Sequence, residues 1–248
     1  MLTNNLSGVD EAGRGCVLGP MVLAICTISK EKEDFFKKIG VTDSKLVNKP
    51  KREKLFEIIK KEAIEYKIIA IPAEELNVLM NNFSLNEIEA QKTAELILSL
   101  KKETLKVVLD CPDTTVSKYK TRIVNNISLL EKNNLNKFTN KKIEIISEHK
   151  ADLNYLCAGC ASILAKVTRD RLLSELLGGS DLSGYSSDPK TITYLKNYIL
   201  ENKKVPSFTR TKWKTVDNIF KELNQKKIGW FNEQERWKDR FKEFRFNY

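Results

Sequence analysis

The run MVLAICTI, residues 21–28, is the feature that most restricts how this chain can fold. Eight largely apolar residues are too few to cross a bilayer, which takes roughly 20. They are also too uniformly apolar for a strand with one face in water, so they predict a fully buried strand. The Gly-Pro pair just before them predicts a turn that leads into this strand.

Strand and helix patterns alternate along the rest of the chain. Apolar residues at helical spacing predict a helix over residues 51–66, followed by a strand at 67–73. Ser84 and Glu87 form a capping box that opens a helix through residue 100. The remaining predicted elements are a strand at 105–110, a helix at about 116–131, a strand at 142–147 and one long helix from Leu153 to Leu177. The alternation predicts an α/β fold with a layered mixed sheet.

Composition favours a polyanionic partner and a reducing compartment. The formal charge is +10, and residues 203–248, which are rich in aromatic side chains, contain 13 basic but only 6 acidic residues. Five cysteines are an odd number without a regular framework, which does not suit a disulfide scaffold. The early acids Asp10 and Glu11 contradict a signal peptide, so we expect a cytoplasmic protein without a membrane segment.

Two adjacent acids, Asp10 and Glu11, precede the sequence Gly13-Arg14-Gly15 near the start of the chain. Neighbouring side chains of a regular strand point to opposite faces, so both acids can serve one site only if the pleat is broken there. The glycines permit such a break, and they let the backbone approach a ligand closely while Arg14 contacts it. On spacing alone, a solvated strand end is the alternative interpretation.

The pattern D-E-A-G-R-G-x-x-x-G-P in this stretch resembles the start of ribonuclease HII, the type 2 ribonuclease H, in its archaeal and eukaryotic form. Further motifs of that family are matched in the same order by TDSKLVNKPKREKLF (42–56), VLDCPD (108–113), EHKADLNYLCAGCASILAKVTRDR (148–171), SGYSSDP (183–189) and VPSFTRTKWKT (205–215). Six motifs in order, from about residue 8 to residue 215, make the resemblance specific.

The resemblance implies an RNase H-like fold, with a mixed central sheet flanked by helices over residues 1–202. Residues 203–248 would then form a basic, aromatic-rich C-terminal helical extension packed on that domain. The family's four catalytic, metal-binding carboxylates correspond here to Asp10, Glu11, Asp110 and Asp152. An all-oxygen ligand set suits two Mg²⁺ or Mn²⁺ ions better than zinc, and two such ions support phosphodiester hydrolysis.

The resemblance also implies a set of substrate-binding residues. Gly13, Arg14, Gly15 and Tyr185 would recognise the junction between a ribonucleotide and the following deoxyribonucleotide. Ser162, Lys166 and Arg169 are spaced so that they share one helix face, which predicts phosphate contacts or, alternatively, a solvated face. Lys45 is a further candidate, although Leu46 follows it where the family has a second lysine. Similarly, Ser186 follows Tyr185 where the family has proline.

The implied activity is an endonuclease that cuts the RNA strand of RNA/DNA hybrids and single ribonucleotides in duplex DNA. The products would carry 5′-phosphate and 3′-hydroxyl ends, and the roles would lie in DNA replication and ribonucleotide excision repair. We expect a monomer, as in archaeal relatives. Two alternatives remain open: a hybrid-binding protein that has lost its chemistry, and ribonuclease HIII, which carries an added N-terminal domain. The presence of all four acids argues against the first alternative.

Several other residues are given structural interpretations. His149 is expected to be a partly exposed structural residue, because a metal-bound hydroxide needs no histidine base. Cys157 and Cys160 lack a second pair that would complete a zinc site, so we expect them in the core. The aromatic residues of the C-terminal stripe, expected to pack on the body, are Trp230, Trp237, Phe241, Phe244 and Tyr248. The segment QERWKDRF (234–241) faintly resembles a sliding-clamp motif but lacks the final aromatic pair, so clamp binding is the lesser alternative.

Overall fold

A single mixed sheet forms the centre of the protein. The computed structural model describes residues 5–101, 104–133 and 142–226. The strands of these residues are β1 (Asn5–Ala12), β2 (Met21–Ser29), β3 (Glu65–Ile71), β4 (Thr104–Asp110) and β5 (Lys142–Glu148). Their order across the sheet is β3-β2-β1-β4-β5. β1, β2 and β3 pair antiparallel, whereas β1, β4 and β5 pair parallel, so the predicted mixed sheet is confirmed.

Helices cover both faces of this sheet. In the described part of the chain they are α1 (Glu33–Ile39), α2 (Lys49–Glu62), α3 (Ala73–Leu79), α4 (Leu85–Ser99), α5 (Val116–Asn133), α6 (Ala151–Asn154), α7 (Leu156–Leu176), α8 (Pro189–Asn202) and α9 (Lys214–Lys226). α7 packs on β1 and β2 on one face, and α4 and α5 pack on the other face. No helix among the described residues is both long and apolar enough to span a membrane.

β2 is buried along residues 21–28, as its composition predicts. Its alternate side chains enter different cores, because Val22 and Ala24 pack on the α7 side whereas Leu23 and Ile25 pack on the α4 side. A central strand covered on both faces has no need of a polar face, which explains the continuous apolar run.

α7 lies unusually close to β1. The side chains of Cys157 and Cys160 are buried on α7 as free thiols, which confirms their predicted place in the core. Gly8 of β1 faces the helix backbone, and a Cβ atom at this position would lie only 2.1 Å from the Ala158 nitrogen. Because Gly8 has no side chain, β1 and α7 can pack at this short distance.

The predicted helix over 51–66 is wrong at its end. α2 stops at Glu62, and the Ile64 nitrogen then donates to the Thr27 carbonyl oxygen at 2.9 Å. β3 therefore begins at Glu65, two residues before the predicted strand. Pairing with the edge of β2 satisfies these backbone groups and overrides the local helical pattern.

The same strand also ends earlier than predicted. β3 stops at Ile71, and the predicted strand residue Ala73 instead begins α3. Pro72 occupies the position before this helix, where its fixed φ and missing N–H are tolerated.

Of the two hydrogen bonds that make up the predicted capping box at the start of α4, one is present. Ser84 Oγ accepts a hydrogen bond from the Glu87 nitrogen at 3.2 Å. The Glu87 carboxylate does not reach back to Ser84 but accepts from Asn126 Nδ2 on α5 at 3.2 Å. Ser84 thus caps the start of α4, whereas the carboxylate of Glu87 links α4 to α5.

The predicted single helix from Leu153 to Leu177 is wrong, because a break at Tyr155 divides it into α6 and α7. Tyr155 has extended backbone angles, with φ −126° and ψ 119°. Its hydroxyl donates to Glu148 Oε1 at 2.8 Å, which ties the break to the end of β5. This tertiary contact holds α6 against the edge of the sheet, where Asp152 is needed.

The C-terminal helices pack away from the two faces of the sheet. Val216 and Ile219 of α9 share a buried cluster with Leu195 and Ile199 of α8, and with Val17 and Leu18 of the segment between β1 and β2. The predicted boundary between residues 202 and 203 stays a prediction. The aromatic stripe from Trp230 to Tyr248 and the segment QERWKDRF lie outside the described residues.

We predict that Gly8→Ala destabilises the protein by about 3 kcal/mol or more, because the new methyl group would overlap the α7 backbone. Thermal or urea unfolding monitored by circular dichroism measures the loss. Gly15→Ala is the matched control, since a Cβ atom there would meet nothing within 4 Å. Equal stability of the Gly8→Ala and wild-type proteins would contradict the close approach of β1 to α7.

Candidate active site

Three aspartates from different parts of the chain meet at one edge of the sheet. Asp10, Asp110 and Asp152 each place one carboxylate oxygen within 4.8 Å of the others. β1 and β4 are parallel neighbours whose register pairs Val9 with Leu109, so Asp10 and Asp110 lie side by side one residue further on. The predicted location of Asp110 at the end of a strand is confirmed.

A local turn brings Asp152 to the other two acids. β5 runs beside β4 and pairs Glu148 with Asp110, so the chain leaves β5 at the same edge. Lys150 then adopts a left-handed conformation with φ 58°, and the Ala151 nitrogen donates to Asp110 Oδ1 at 2.8 Å. The carboxylate of Asp110 thereby anchors the start of α6, whose first turn contains Asp152.

Burial and mutual repulsion both disfavour the charged forms of these acids. Burial is the main reason why the pKa of Asp10 lies well above its ordinary value, and the charges of Glu11 and Asp110 raise it further. Burial followed by the charge of Asp110 raises the pKa of Asp152 to about 6. Burial also raises the pKa of Asp110. Without a cation, these acids therefore bind protons more readily than isolated aspartates do.

The ligand atoms of this cluster fit a hard divalent cation. All three groups offer carboxylate oxygens, and oxygen ligands are preferred by Mg²⁺ and Mn²⁺. A cation between them would replace their mutual repulsion with attraction and would favour the ionised carboxylates, whose pKa values are raised in its absence. Asp10, Asp110 and Asp152 would hold such an ion.

Glu11 lies on the opposite face of β1 from Asp10, because the strand is regular at these two residues and lacks the break in the pleat that a common face would require. β1 pairs with β2 without interruption, placing Asp10 opposite Ala24 and Glu11 opposite Leu23. The backbone first becomes irregular at Gly13, two residues after Glu11, where φ is +81°. The continuous ladder of backbone hydrogen bonds to β2 keeps β1 regular as far as its last paired residue. The Glu11 nitrogen donates to Asp10 Oδ1 at 2.7 Å.

The carboxyl group of Glu11 interacts both with the aspartates and with a further buried acid, Glu89. Burial followed by the charge of Glu89 raises the pKa of Glu11 to about 8, and Asp110 raises it further. Glu11 therefore interacts electrostatically with Asp10 and Asp110, although its side chain leaves the strand on the other side. Metal binding by Glu11 stays a prediction.

The Gly13-Arg14-Gly15 turn is held by residues that the sequence analysis did not single out. Arg14 Nε donates to Glu89 Oε2 at 2.9 Å, and Arg14 Nη2 donates to Asn86 Oδ1. A Cβ atom at Gly13 would lie 2.8 Å from the Pro20 carbonyl oxygen, whereas Gly15 is exposed. Asn86 and Glu89 stand three residues apart near the start of α4, a spacing that places both on one helix face.

Lys45 and Ser162 lie near the aspartates. Burial opposes the charge of Lys45, but the neighbouring carboxylates, Asp43 first and then Asp10 and Asp152, keep the pKa of Lys45 above its usual value. Ser162 is buried and donates to Ser44 Oγ at 2.9 Å. Asp43 is a further acid beside the site, and its charge raises the pKa of Asp152. It belongs to the same aspartate-serine-lysine segment that supplies the predicted site residue Lys45.

Arg169 and Lys166 share an acidic partner on α7. Lys166 Nζ donates to Asp170 Oδ1 at 2.8 Å, and Arg169 Nη1 donates to the same oxygen at 3.0 Å. Arg169 is only 1% exposed, and its Nη2 atom donates to Cys16 Sγ and to the Ser183 carbonyl oxygen. Phosphate contact by Arg169 stays a prediction that requires these bonds to rearrange.

Tyr185 lies beside the glycine-flanked turn. An antiparallel bridge pairs its backbone with Cys16, immediately after Gly15. Its half-buried ring lies 5.3 Å from the guanidinium carbon of Arg169, and burial raises the pKa of Tyr185 to about 12. Ser186, which replaces the family's proline, accepts a hydrogen bond from Thr215 Oγ1 at 2.8 Å, and this bond also holds the turn.

His149 is exposed, and its Nδ1 atom donates to the Cys111 carbonyl oxygen at 3.2 Å. This bond joins the end of β5 to the residue that follows β4. The contact is compatible with the structural role that the sequence predicts for this histidine.

Comparison with known proteins assigns the family. A family model described as Ribonuclease HII matches residues 7–216. The chain is 38% identical over 230 residues to Ribonuclease HII of Methanocaldococcus jannaschii, an alignment that covers 89% of this chain and 97% of the relative. The chain belongs to the ribonuclease HII family. It is also 36% identical over 224 residues to Ribonuclease HII of Thermococcus sibiricus, with 90% and 94% covered.

Solved structures agree with this assignment. The ribonuclease H2 of Pyrococcus horikoshii matches with a TM-score of 0.77 and 32% identity, covering 89% of this chain and 99% of that one. The RNase HII in a PCNA complex from Archaeoglobus fulgidus matches with a TM-score of 0.70 and 35% identity, covering 84% and 94%. Bst-RNase HIII in complex with Mn²⁺ shares the fold at 14% identity, with a TM-score of 0.67 and 90% and 71% covered. The predicted RNase H-like fold is confirmed.

Membership of the ribonuclease HII family settles the class of activity. The protein is a metal-dependent hydrolase that cleaves the RNA strand of RNA/DNA hybrids. Asp10, Asp110 and Asp152 supply the cluster of carboxylates that divalent ions of such an enzyme need. The alternatives of a non-catalytic binding protein and of ribonuclease HIII are therefore set aside.

We predict that Mn²⁺ raises the melting temperature more at about pH 8 than at about pH 5.5, because protons compete with the metal for raised-pKa carboxylates. The pKa of Asp152 is about 6 and that of Glu11 about 8, both above the ordinary range. In chelator the folded state then binds more protons than the unfolded state between about pH 4 and 8, so the free energy of unfolding falls as the pH rises. Calorimetry of the wild type and of Asp152→Asn measures both effects. An identical Mn²⁺ shift at the two pH values would contradict the cluster as the binding site.

Proposed function

We propose that the enzyme also incises duplex DNA at single embedded ribonucleotides, using two divalent metal ions and leaving 5′-phosphate and 3′-hydroxyl ends. The main support is the proximity of two sites: the aspartate cluster at the end of β1, and the Gly13-Arg14-Gly15 turn that immediately follows this strand. A scissile phosphate at the cluster would place the neighbouring sugar near the turn.

The aspartate cluster would hold the metal ions. Asp10, Asp110 and Asp152 are the ligands that the geometry supports, and Glu11 is proposed as the fourth. Divalent cations there would supply the positive charge that offsets the developing charge of the phosphodiester during hydrolysis. The oxygen donor set favours Mg²⁺ or Mn²⁺.

Recognition of the ribose is proposed for Arg14 and Tyr185. The bridge between Cys16 and the Tyr185 backbone brings the tyrosine alongside the glycine-flanked turn. Arg14 has a 31% exposed side chain, so part of its guanidinium faces solvent. Gly13 and Gly15 would let the backbone approach the minor groove, where the 2′-hydroxyl distinguishes RNA from DNA.

Phosphate binding on the flanking duplex is proposed for Lys45, Ser162, Lys166 and Arg169. Lys166 lines a cavity of about 580 Å³ together with Lys49, Arg52 and Lys190. These cations, and the formal charge of +10, complement a nucleic-acid backbone.

We propose that the enzyme acts as a cytoplasmic monomer in DNA replication and ribonucleotide excision repair. A clamp partner remains the lesser alternative. The Archaeoglobus fulgidus relative was solved as a PCNA complex, but the segment of this chain that resembles a clamp motif lies outside the described residues.

The proposal is tested by incubating the wild-type enzyme with a DNA duplex that contains one ribonucleotide. An all-DNA duplex and a long RNA/DNA hybrid serve as comparisons, with Mg²⁺, Mn²⁺ or chelator. We expect metal-dependent incision beside the ribonucleotide, with a 3′-hydroxyl and a 5′-phosphate identified by end-group labelling. Cleavage of the hybrid without incision of the single-ribonucleotide duplex would reject the proposal.

We predict that Asp110→Asn and Asp152→Asn each lower kcat at least about hundredfold while hybrid affinity changes little, because these acids bind metal rather than phosphate. Single-turnover cleavage and fluorescence anisotropy separate the two quantities. Asp34→Asn is the matched control, since Asp34 is an exposed residue of α1. Wild-type rates in either cluster variant would remove that residue from the metal site.

A further inference from the structure

Glu89 is a buried carboxylate that the aspartate cluster does not include. Its residue is 1% exposed, and its Oε2 atom accepts from Arg14 Nε at 2.9 Å. Its Oε1 atom makes no hydrogen bond of good geometry with the described residues, although the Tyr119 side chain lies close enough to lower the pKa of Glu89. Burial of a carboxylate costs several kcal/mol unless a good partner compensates, so its ion pair with Arg14 is its principal compensation.

Arg14 is held at both its side chain and its backbone. Asn86 Oδ1 accepts from Arg14 Nη2, and the other end of this amide, Asn86 Nδ2, donates to Asp113 Oδ2 at 3.0 Å. The contact with Asp113 fixes which end of the amide faces Arg14. On the backbone, Arg210 Nη1 donates to the Arg14 carbonyl oxygen at 3.0 Å.

This arrangement leaves one part of the guanidinium free for a ligand. A guanidinium has five N–H donors. Glu89 and Asn86 engage Nε and Nη2, while Nη1 has no hydrogen-bond partner in the described part of the chain. Because the Arg14 side chain is 31% exposed, these remaining donors can reach a substrate that enters beside the turn.

We propose that Glu89, assisted by Asn86, is a positioning residue that directs Arg14 toward the ribose of the substrate and thereby determines the preference for a ribonucleotide in DNA. The inference rests on the proposed function of Arg14. Glu89 itself does not contact substrate; it acts by fixing the Arg14 side chain before binding. Preorganisation of this kind improves binding because less side-chain freedom is lost in the complex.

The test is a double-mutant cycle between Glu89→Gln and Arg14→Ala. KM and kcat are measured on a single-ribonucleotide duplex and on a long RNA/DNA hybrid. We expect Glu89→Gln to raise KM for the single-ribonucleotide duplex about tenfold, with a kcat changed by less than about twofold. Because Glu89 acts through Arg14, adding Glu89→Gln to Arg14→Ala should cause no further loss.

Two controls separate positioning from a folding defect. Glu95→Gln alters a partly exposed glutamate of the same helix, which pairs with Lys92, and should leave both substrates unaffected. Asn86→Ala alters the less buried partner of Arg14 and should raise KM in the same direction, so it tests the proposal if Glu89→Gln fails to fold. Thermal unfolding of every variant verifies the fold.

The outcomes distinguish this inference from the proposed function. If the wild type does not incise the single-ribonucleotide duplex, the proposed function is wrong, and so is this inference, which rests on it. If the wild type incises and Arg14→Ala is impaired, but the folded Glu89→Gln and Asn86→Ala variants match the wild type, only the positioning role is wrong. Additive losses in the double mutant would also overturn it, since they would show that Glu89 acts independently of Arg14.

Discussion

Repulsion among Asp10, Asp110 and Asp152 is the constraint on which the rest of the site depends. Two close carboxylates repel by a few kcal/mol even at an effective dielectric constant near 20. The fold nevertheless brings three together, because parallel pairing of β1 with β4 aligns two of them and the turn after β5 adds the third. Backbone N–H groups from Glu11 and Ala151 compensate part of the repulsion, and a divalent cation would compensate the remainder.

The two faces of β1 divide the chemistry of the site. Asp10 faces the α7 side of the strand and clusters with Asp110 and Asp152, whereas Glu11 leaves the strand on the α4 side, where Glu89 and Arg14 lie. A register slip of one residue would exchange these faces. The close packing of Gly8 on α7 and the continuous pairing with β2 therefore protect catalytic geometry as well as stability.

Features encoded by short segments were predictable, and features created by tertiary contacts were not. Local sequence patterns predict the buried strand β2, the cap at Ser84 and the position of Asp110 at the end of a strand, and the structure contains all three features. The break at Tyr155 depends on a hydrogen bond to Glu148, so the apolar periodicity alone predicts one continuous helix.

Glu89 illustrates the same limit within the site. In the sequence it is one of two glutamates in the first turns of a helix, where acids are common because they favour the helix dipole. Only the packing of α4 on the sheet reveals that it is buried beside Arg14. The regular pleat at Asp10 and Glu11 was not anticipated for a related reason: two acids of one site were expected to need a common face, whereas the Glu11 carboxyl interacts with Asp10 and Asp110 from the other face of the strand.

The predicted basic face of α7 combines two physical roles. Lys166 keeps a 19% exposed side chain and lines the cavity beside α2, so its charge remains within reach of a polyanion. Arg169 is buried and joins Cys16 to the Ser183 carbonyl oxygen. These two bonds connect the chain after the glycine-flanked turn to the loop that carries Tyr185. Loss of Arg169 would therefore disconnect the glycine-flanked turn from the loop that carries Tyr185, whereas loss of Lys166 would chiefly weaken the long-range attraction of a polyanion.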